Sequence, residues 1–555
     1  MRTVKTLYKA FGANLEMPRP ESNGKARVYG VFGFIAFALI FVPSSVLVGY
    51  ITYLLSNLLM YFGERSYALI SLVHIISAFT MIFILPVMFN VLFFAKDLAY
   101  LRALPIKPIQ LFKAKFWHTC KAENIMTSVV LLSMYIGWYV AYYNNFGAEV
   151  FHPVTIISTL LSMFLIPVLP LIYCSVICTL LMAVLRKVRR ISIFYYSSTL
   201  LFVVFAFVFL LSFRGQGGVN IENYVDMLVK CENSFNDLCD VMFFSTPLLA
   251  KAMGEHDILK LLLAAAITAV LYVLMILVAK GLYNEGLYTS ACLGAGKKAR
   301  VSSGFRSTSN GTFMALLKKE FKVLMRTMSY RTNCVYANLI WPVLAVVFFV
   351  LSKRNVNLLR FINRYRGGGG NSRVIILIIV IALAFIASGL NSISSTSFTR
   401  EGAHIDILKY LPVSGTKMIL SKALISILFT YIPLVFAIVF SAYSLYATVP
   451  NTLLYLLVAL LGVVAATAVG VIMDSIAPYT VWSDEATALR GNMNCFFNLA
   501  AGLLASVVIC ALIYLLYIWQ GSTVYCNILA LVSLAVFSFL AVVLGLKKVK
   551  KNLGI

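Results

Sequence analysis

"LRALPIKPIQLFKAKF" runs from Leu101 to Phe116, and "LKYLPVSGTKMILSKA" runs from Leu408 to Ala423. Both are short, basic, proline-broken segments set between long apolar runs. At an offset of 307 residues, Leu101 falls on Leu408, Arg102 on Lys409, Leu104-Pro105 on Leu411-Pro412, Ile106 on Val413 and Lys115 on Lys422. Each segment follows the second apolar run of its half and precedes the third. The chain is an internal duplication.

Composition sets the class. Of 555 residues, 61% are hydrophobic and only 12% charged, whereas a soluble domain carries about 25% charged residues. Twelve apolar stretches are long enough to cross a bilayer, which takes roughly 20 residues each. They cover 30–57, 68–95, 123–143, 153–184, 191–213, 258–281, 334–352, 374–397, 423–447, 452–473, 495–519 and 525–546. The expected fold is an all-α polytopic transmembrane bundle. The first stretch follows a polar, basic segment and is too long for a signal-peptide core, so the chain is expected to be anchored rather than secreted.

Lys and Arg placement orients the bundle. With both termini inside, the inner segments hold 35 of the 46 basic residues. One outer loop dissents: "KRNVNLLRFINRYRGGGGNSR" carries Lys353, Arg354, Arg360, Arg364, Arg366 and Arg373. It is expected to hide a re-entrant turn, to meet anionic headgroups or an anionic substrate, or to be a tolerated exception. The net charge of +26 does not imply nucleic-acid binding, because the positive-inside bias already accounts for it.

The expected division is residues 1–281, a first six-span half; 282–312, a flexible inner linker rich in Gly, Ser and basic residues; and 313–555, a second half. Equal in/out order makes these parallel repeats. Each half opens with an amphipathic basic segment, from Arg2 and from Phe313. In the second, Met314, Leu317, Phe321 and Leu324 recur at helical spacing among Lys318, Lys319 and Lys322, which suits a helix lying on the inner surface.

A proline after a short helical turn removes a backbone donor and ends the helix. Leu-Pro, a polar turn and a basic second arm therefore predict a hairpin projecting from the inner face. Leu101, Leu104 and Ile106, or Leu408, Leu411 and Val413, would form an apolar knob with Arg102, Lys115, Lys409 and Lys422 around it. One knob per half suits a two-fold partner; the plainer alternative is a connecting turn. The chain carries no nucleotide site of its own. "GAGKKAR" (294–300) lacks the first glycine of a phosphate loop, since Ala291 stands there, and Lys298 replaces its Ser/Thr.

A further inner segment, "DSIAPYTVWSDEATALRGNMN" (Asp474 to Asn494), follows the tenth span. Tyr479 and Trp482 suit an interfacial anchor, and Asp484 and Glu485 suit a helix start. Pro478, Trp482, Glu485, Ala488, Arg490, Asn492 and Asn494, with the two Leu-Pro hairpins and the six-plus-six layout, resemble the ATP-binding-cassette exporter permeases of type two from Gram-positive bacteria. Ala477-Pro478 stands where that family usually has Arg-Pro. The resemblance implies a non-enzymatic transport subunit in the bacterial plasma membrane without cofactors of its own. ATP and Mg would be bound by a separate cytoplasmic ATPase, in two copies, docked on the hairpins, and an amphipathic or hydrophobic substrate would be moved out.

Other chemistry is sparse. His74, His118, His152, His256 and His404 lack ligand spacing, so no metal site is expected. His74 lies inside a span, where an ionisable group invites a functional reading, although a lone neutral His bonded to a neighbouring helix explains it too. Cys231 and Cys239 in the outer segment 214–257 are candidates for a disulfide. A twelve-span secondary carrier without an ATPase is the competing function, and a structural or regulatory membrane protein is a third.

Overall fold

A computed structural model describes the chain except residues 1, 14–22, 96–97, 99–100, 102, most of 189–233, 296–310, 353–355, 481, 483–484, 486, 491 and 555. It divides into two compact units, residues 1–16 with 41–303 and residues 17–40 with 304–555.

In the first unit the long helices are α1 (Arg2–Ala13), α2 (Asn23–Tyr61, in this unit from Phe41), α3 (Tyr67–Phe89), α4 (Pro108–Phe146) and α5 (Pro153–Val188). Two short helices, α6 (Ser234–Met242) and α7 (Ser245–Gly254), precede α8 (Ile258–Ala295). α8 carries helix well past residue 281, so the first part of the expected linker is helical, and residues 296–310 lie outside the described residues.

The second unit holds α9 (Thr312–Arg326), α10 (Ile340–Ser352), α11 (Val356–Arg366) and α12 (Gly370–Leu390). α13 (Ile407–Tyr410) leads to α14 (Gly415–Ser444) and α15 (Val449–Ile476). α16 (Thr487–Arg490), α17 (Met493–Gln520) and α18 (Thr523–Leu553) complete the unit.

Among the described residues ten helices are long and apolar enough to span a membrane. An eleventh is α4, if the pieces on either side of its 40° bend count as one span. These eleven coincide with eleven of the twelve expected stretches; the other, 191–213, lies outside the described residues except for Leu200 and Val204. Backbone N–H and C=O groups find no partner in lipid, so each spanning segment satisfies them within itself as a helix.

Each unit builds its own core. In the first, Phe89, Phe93, Phe112 and Tyr283 gather around α3, α4 and α8. In the second, Leu377, Ile381, Phe385, Val458 and Val463 join α12 to α15. His74, fully buried in α3, bonds through Nε2 to Asp240 of α6 at 2.7 Å; its partner is thus an outer-segment carboxylate rather than a group on a spanning helix. Cys239 is a buried free thiol, and Cys231 lies outside the described residues. The dissenting basic loop forms α11. Its Ile362 and Tyr365 are buried in the second core while Arg360, Arg364 and Arg366 are exposed, and Arg366 lies over the Tyr446 ring at 5.0 Å. Residues 356–366 of the loop are an amphipathic helix.

Candidate functional site

The two Leu-Pro segments have the same backbone. Ile106 N donates to Leu104 O, and Val413 N to Leu411 O, each at 2.7 Å. Each is a three-residue turn with proline at its centre. Lys107 (φ −67°, ψ 132°) and Ser414 (φ −60°, ψ 133°) then enter the next helix in the same conformation. A duplication legible in a dozen residues is thus a duplication of geometry.

The side chains divide differently from the expected knob. Leu104 is 50% exposed and Leu411 38%, with Pro105 and Pro412 exposed beside them. Leu408 is buried, Leu101 packs on the first core, and Ile106 and Val413 are half-buried. Each tip therefore presents one leucine and one proline; the second adds Ile407 and Tyr410, the latter 84% exposed. Arg102 lies outside the described residues, and Lys409 pairs with Asp406 at the surface. Lys115 and Lys422 correct the expectation of a basic rim: both are buried. They sit on the inward face of their helices, two turns in, and find partners inside.

For Lys422 those partners are ionic. Its Nζ donates to Glu320 Oε1 (2.7 Å), Glu401 Oε1 (2.6 Å) and Ser397 O (2.9 Å). Lys319 donates to the same Glu401 carboxylate, and Arg400 Nη2 lies 3.6 Å from Glu320 Oε2. Arg400 Nη1 is held by Ile393 O and Thr396 Oγ1. Two carboxylates and three cations thus tie α9, the segment after α12 and the start of α14 together.

Directly adjoining is a second polar centre. Asp474, fully buried near the end of α15, accepts from Phe398 N (2.5 Å), Thr399 N (3.1 Å), Thr399 Oγ1 (2.6 Å) and Asn494 Nδ2 (3.2 Å). Thr399 Oγ1 in turn accepts from Tyr479 N and Asn492 Nδ2, both at 3.1 Å, and Thr399 O accepts from Trp482 Nε1 at 3.0 Å. Asn494 also donates to Ala477 O. Trp482, Asn492 and Asn494 of the inner segment therefore converge on one residue, Thr399, and one carboxylate, Asp474. Pro478 is half-buried, Glu485 sits in a turn, and Arg490 closes the four-residue α16, where Ala488 and Leu489 pack on Leu324 of α9.

Sequence reasoning passed over Glu320, Thr399, Arg400 and Glu401, and took Asp474 only as the start of a segment. A signal existed: in a chain with only 20 acidic residues, Arg400-Glu401 and Glu320 stand close to spans, where charges need partners.

Burial alone would push the Glu401 carboxyl up, but the Lys422 and Lys319 ammoniums and their hydrogen bonds outweigh it and hold it at about 2, below the ordinary 4.5. A depressed carboxylate stabilises the fold fully above its unfolded value and loses that contribution as pH falls through the folded one. Thermal unfolding of the wild type should therefore drop between about pH 4.5 and 2, and Glu401→Gln should flatten that drop. Parallel curves for the two proteins would remove Glu401 from the network.

Gly402 (φ 59°, ψ −138°) lets the Trp482 indole lie against the backbone; a Cβ there would meet Trp482 Cζ2 at 2.9 Å. Gly402→Ala combines a strained φ with a clash and should cost about 1–3 kcal/mol. It should also raise protease cleavage within 474–494, measured by limited proteolysis.

In the first unit Lys115 Nζ donates to Val91 O at 2.8 Å, and Tyr283 OH to Leu92 O at 3.0 Å. Rings of Phe93 and Phe112 stand 5.3 and 5.1 Å from Tyr283. A π-turn at Asn90–Phe94 shapes this region. At the same offset Leu92 corresponds to Thr399 and Phe94 to Glu401. Near the first hairpin the Lys115 ammonium meets a backbone carbonyl beside aromatic rings; near the second, Lys422 meets two carboxylates.

Residues 30–542 match the family model described as a membrane protein of 12 TMs. The chain belongs to this family. No curated protein and no solved structure matches it. Membership in the 12-TM membrane protein family agrees with the twelve spans read from hydropathy, and the stretch 191–213 falls inside the matched region.

Proposed function

We propose that the protein is the transmembrane permease subunit of an ATP-driven exporter of the ATP-binding-cassette kind in a bacterial plasma membrane. Two copies of a separate ATPase bind ATP and Mg and dock on the Leu104-Pro105 and Leu411-Pro412 turns, and an amphipathic or hydrophobic cargo moves outward. The observation carrying this reading is the pair of turns with one backbone geometry and exposed leucine tips. The resemblance of the inner segment Asp474–Asn494 to type-two exporter permeases supports it, and the network beneath the second turn links that turn to α9, α14 and α15. A carrier working without an ATPase has one specific observation on its side, the His74–Asp240 pair.

Affinity purification of the tagged protein in mild detergent tests the proposal. A nucleotide-hydrolysing partner should co-purify, and it should be lost with Leu104→Asp and Leu411→Asp together, because both positions are exposed and tolerate charge in the free protein. If no such partner appears, the exporter reading fails.

A further inference from the structure

At the end of α4 far from the Leu104-Pro105 turn, the first unit holds two histidines in contact. The rings of His152 and His256 lie 4.8 Å apart between centroids. His152 follows the turn Gly147–Phe151 that joins α4 to α5, and His256 lies in the corner between α7 and α8. In the orientation read from Lys and Arg placement this end is outside. His256 has a positive φ of 58°, which a non-glycine residue keeps only where its surroundings hold it.

The ring supplies that hold. Thr155 Oγ1 of α5 donates its one hydrogen to Met253 O (3.1 Å). His256 Nδ1 therefore donates to Thr155 Oγ1 (2.6 Å), and Nε2 is left to accept from Tyr142 OH of α4 (3.3 Å). Tyr142 OH itself accepts from Arg65 Nη1 (3.0 Å). Neutral His256 thus bonds the α7–α8 corner to α4 and α5 at once. Beside it Gly254 packs so closely that a Cβ there would collide with Ser66 Oγ, just ahead of α3.

A second proton on the ring takes away Nε2 as an acceptor. Tyr142 must then turn its hydrogen to Gly254 O, 3.4 Å away, and its oxygen faces two cations, Arg65 and the imidazolium. Among the described residues, the charged groups acting on His256 from packed elements are Arg65 ahead of α3, and Glu149 and His152 between α4 and α5. Glu149 favours the proton but is already paired with Arg65 at 3.6 Å. On His256's own segment, Glu255 and Asp257 are engaged with Lys260. Burial, His152 and Arg65 together hold the His256 imidazole below the ordinary 6.5.

We propose that this corner is a proton-operated clasp, closed while His256 is neutral and released from α4 and α5 when the outer medium turns acid. A histidine held low in the folded form stabilises it fully above about pH 6.5, and that contribution is lost as pH falls towards the folded value. Release lets residue 256 leave the left-handed region, so α7 and α8 no longer meet at a fixed angle. This inference does not depend on an ATPase partner.

The test uses the full chain in detergent, labelled with ¹⁵N-histidine. Its five histidines give few enough signals to follow through a pH titration, and His256 is assigned by its absence in His256→Asn. The His256 midpoint should lie below 6.5, and His152→Gln should raise it by removing a cationic neighbour. Amide exchange read by mass spectrometry, corrected for the intrinsic pH dependence of exchange, follows the clasp itself. Protection of residues 245–262 should fall roughly tenfold between about pH 7.5 and about pH 5.5, while that of α12 holds. Asn tolerates a positive φ and takes up no proton, so His256→Asn should be equally protected at both pH values. His152→Gln should lose less protection than the wild type, and it decides the matter should His256→Asn fail to fold by size-exclusion profile. A His256 midpoint at or above 6.5, wild-type protection unchanged by acid, or an acid loss in the variants equal to the wild type's would each overturn the proposal.

Discussion

Asp474→Ala should be the most damaging single substitution in the second unit. It removes the acceptor for Phe398 N, Thr399 N, Thr399 Oγ1 and Asn494 Nδ2, and these donors are buried where water cannot replace it. An unsatisfied buried polar group costs about 1–3 kcal/mol, and a dismantled network of this kind about 3–5 kcal/mol. The expected result is a large fall in the thermal midpoint of the detergent-solubilised protein, with early proteolysis in 474–494. Asp474→Asn keeps one acceptor oxygen and should fall between the two. A midpoint unchanged in Asp474→Ala would mean that the segment holds its place without the carboxylate.

Lys422→Met should approach it in size, for a different reason. The side chain is nearly isosteric, so packing survives, but Glu320 and Glu401 lose the ammonium lying between them. An unpaired buried charge costs about 3–5 kcal/mol, whereas replacing a whole ionic set by apolar groups is often neutral. Glu320→Gln and Glu401→Gln added to Lys422→Met should therefore restore much of the lost stability. The non-additivity in that cycle measures the coupling. Simple addition of the separate losses would show that these groups do not act as one network.

Much of the architecture was legible in the sequence, for a physical reason. Spanning needs some twenty apolar residues with every backbone group satisfied internally, so eleven spans could be placed from hydropathy alone. Leu104-Pro105 and Leu411-Pro412 were legible because proline acts locally on its own backbone. What stayed hidden were pairings between distant residues. Glu320 meets Lys422 across 102 positions, and Thr399 meets Asp474 across 75. In "KKEF" Glu320 looks like one more surface charge on an amphipathic helix. Only the rotation of α9 onto α14 makes it a buried partner. Lys115 and Lys422 were misjudged for the same reason, since a lysine's position fixes which helix carries it but not which way it turns. The outer helix α11 was missed because its eleven residues fall below the length that announces a span.

The rings around Tyr283 and the ions around Lys422 respond differently to temperature. Apolar burial weakens on cooling, so the aromatic cluster around Tyr283 loosens in the cold. The cost of dehydrating ions falls on warming, so the ionic cluster around Lys422 gains relative strength in the heat. Aromatic contacts around Tyr283 and ionic contacts around Lys422 thus have thermal responses of opposite sign.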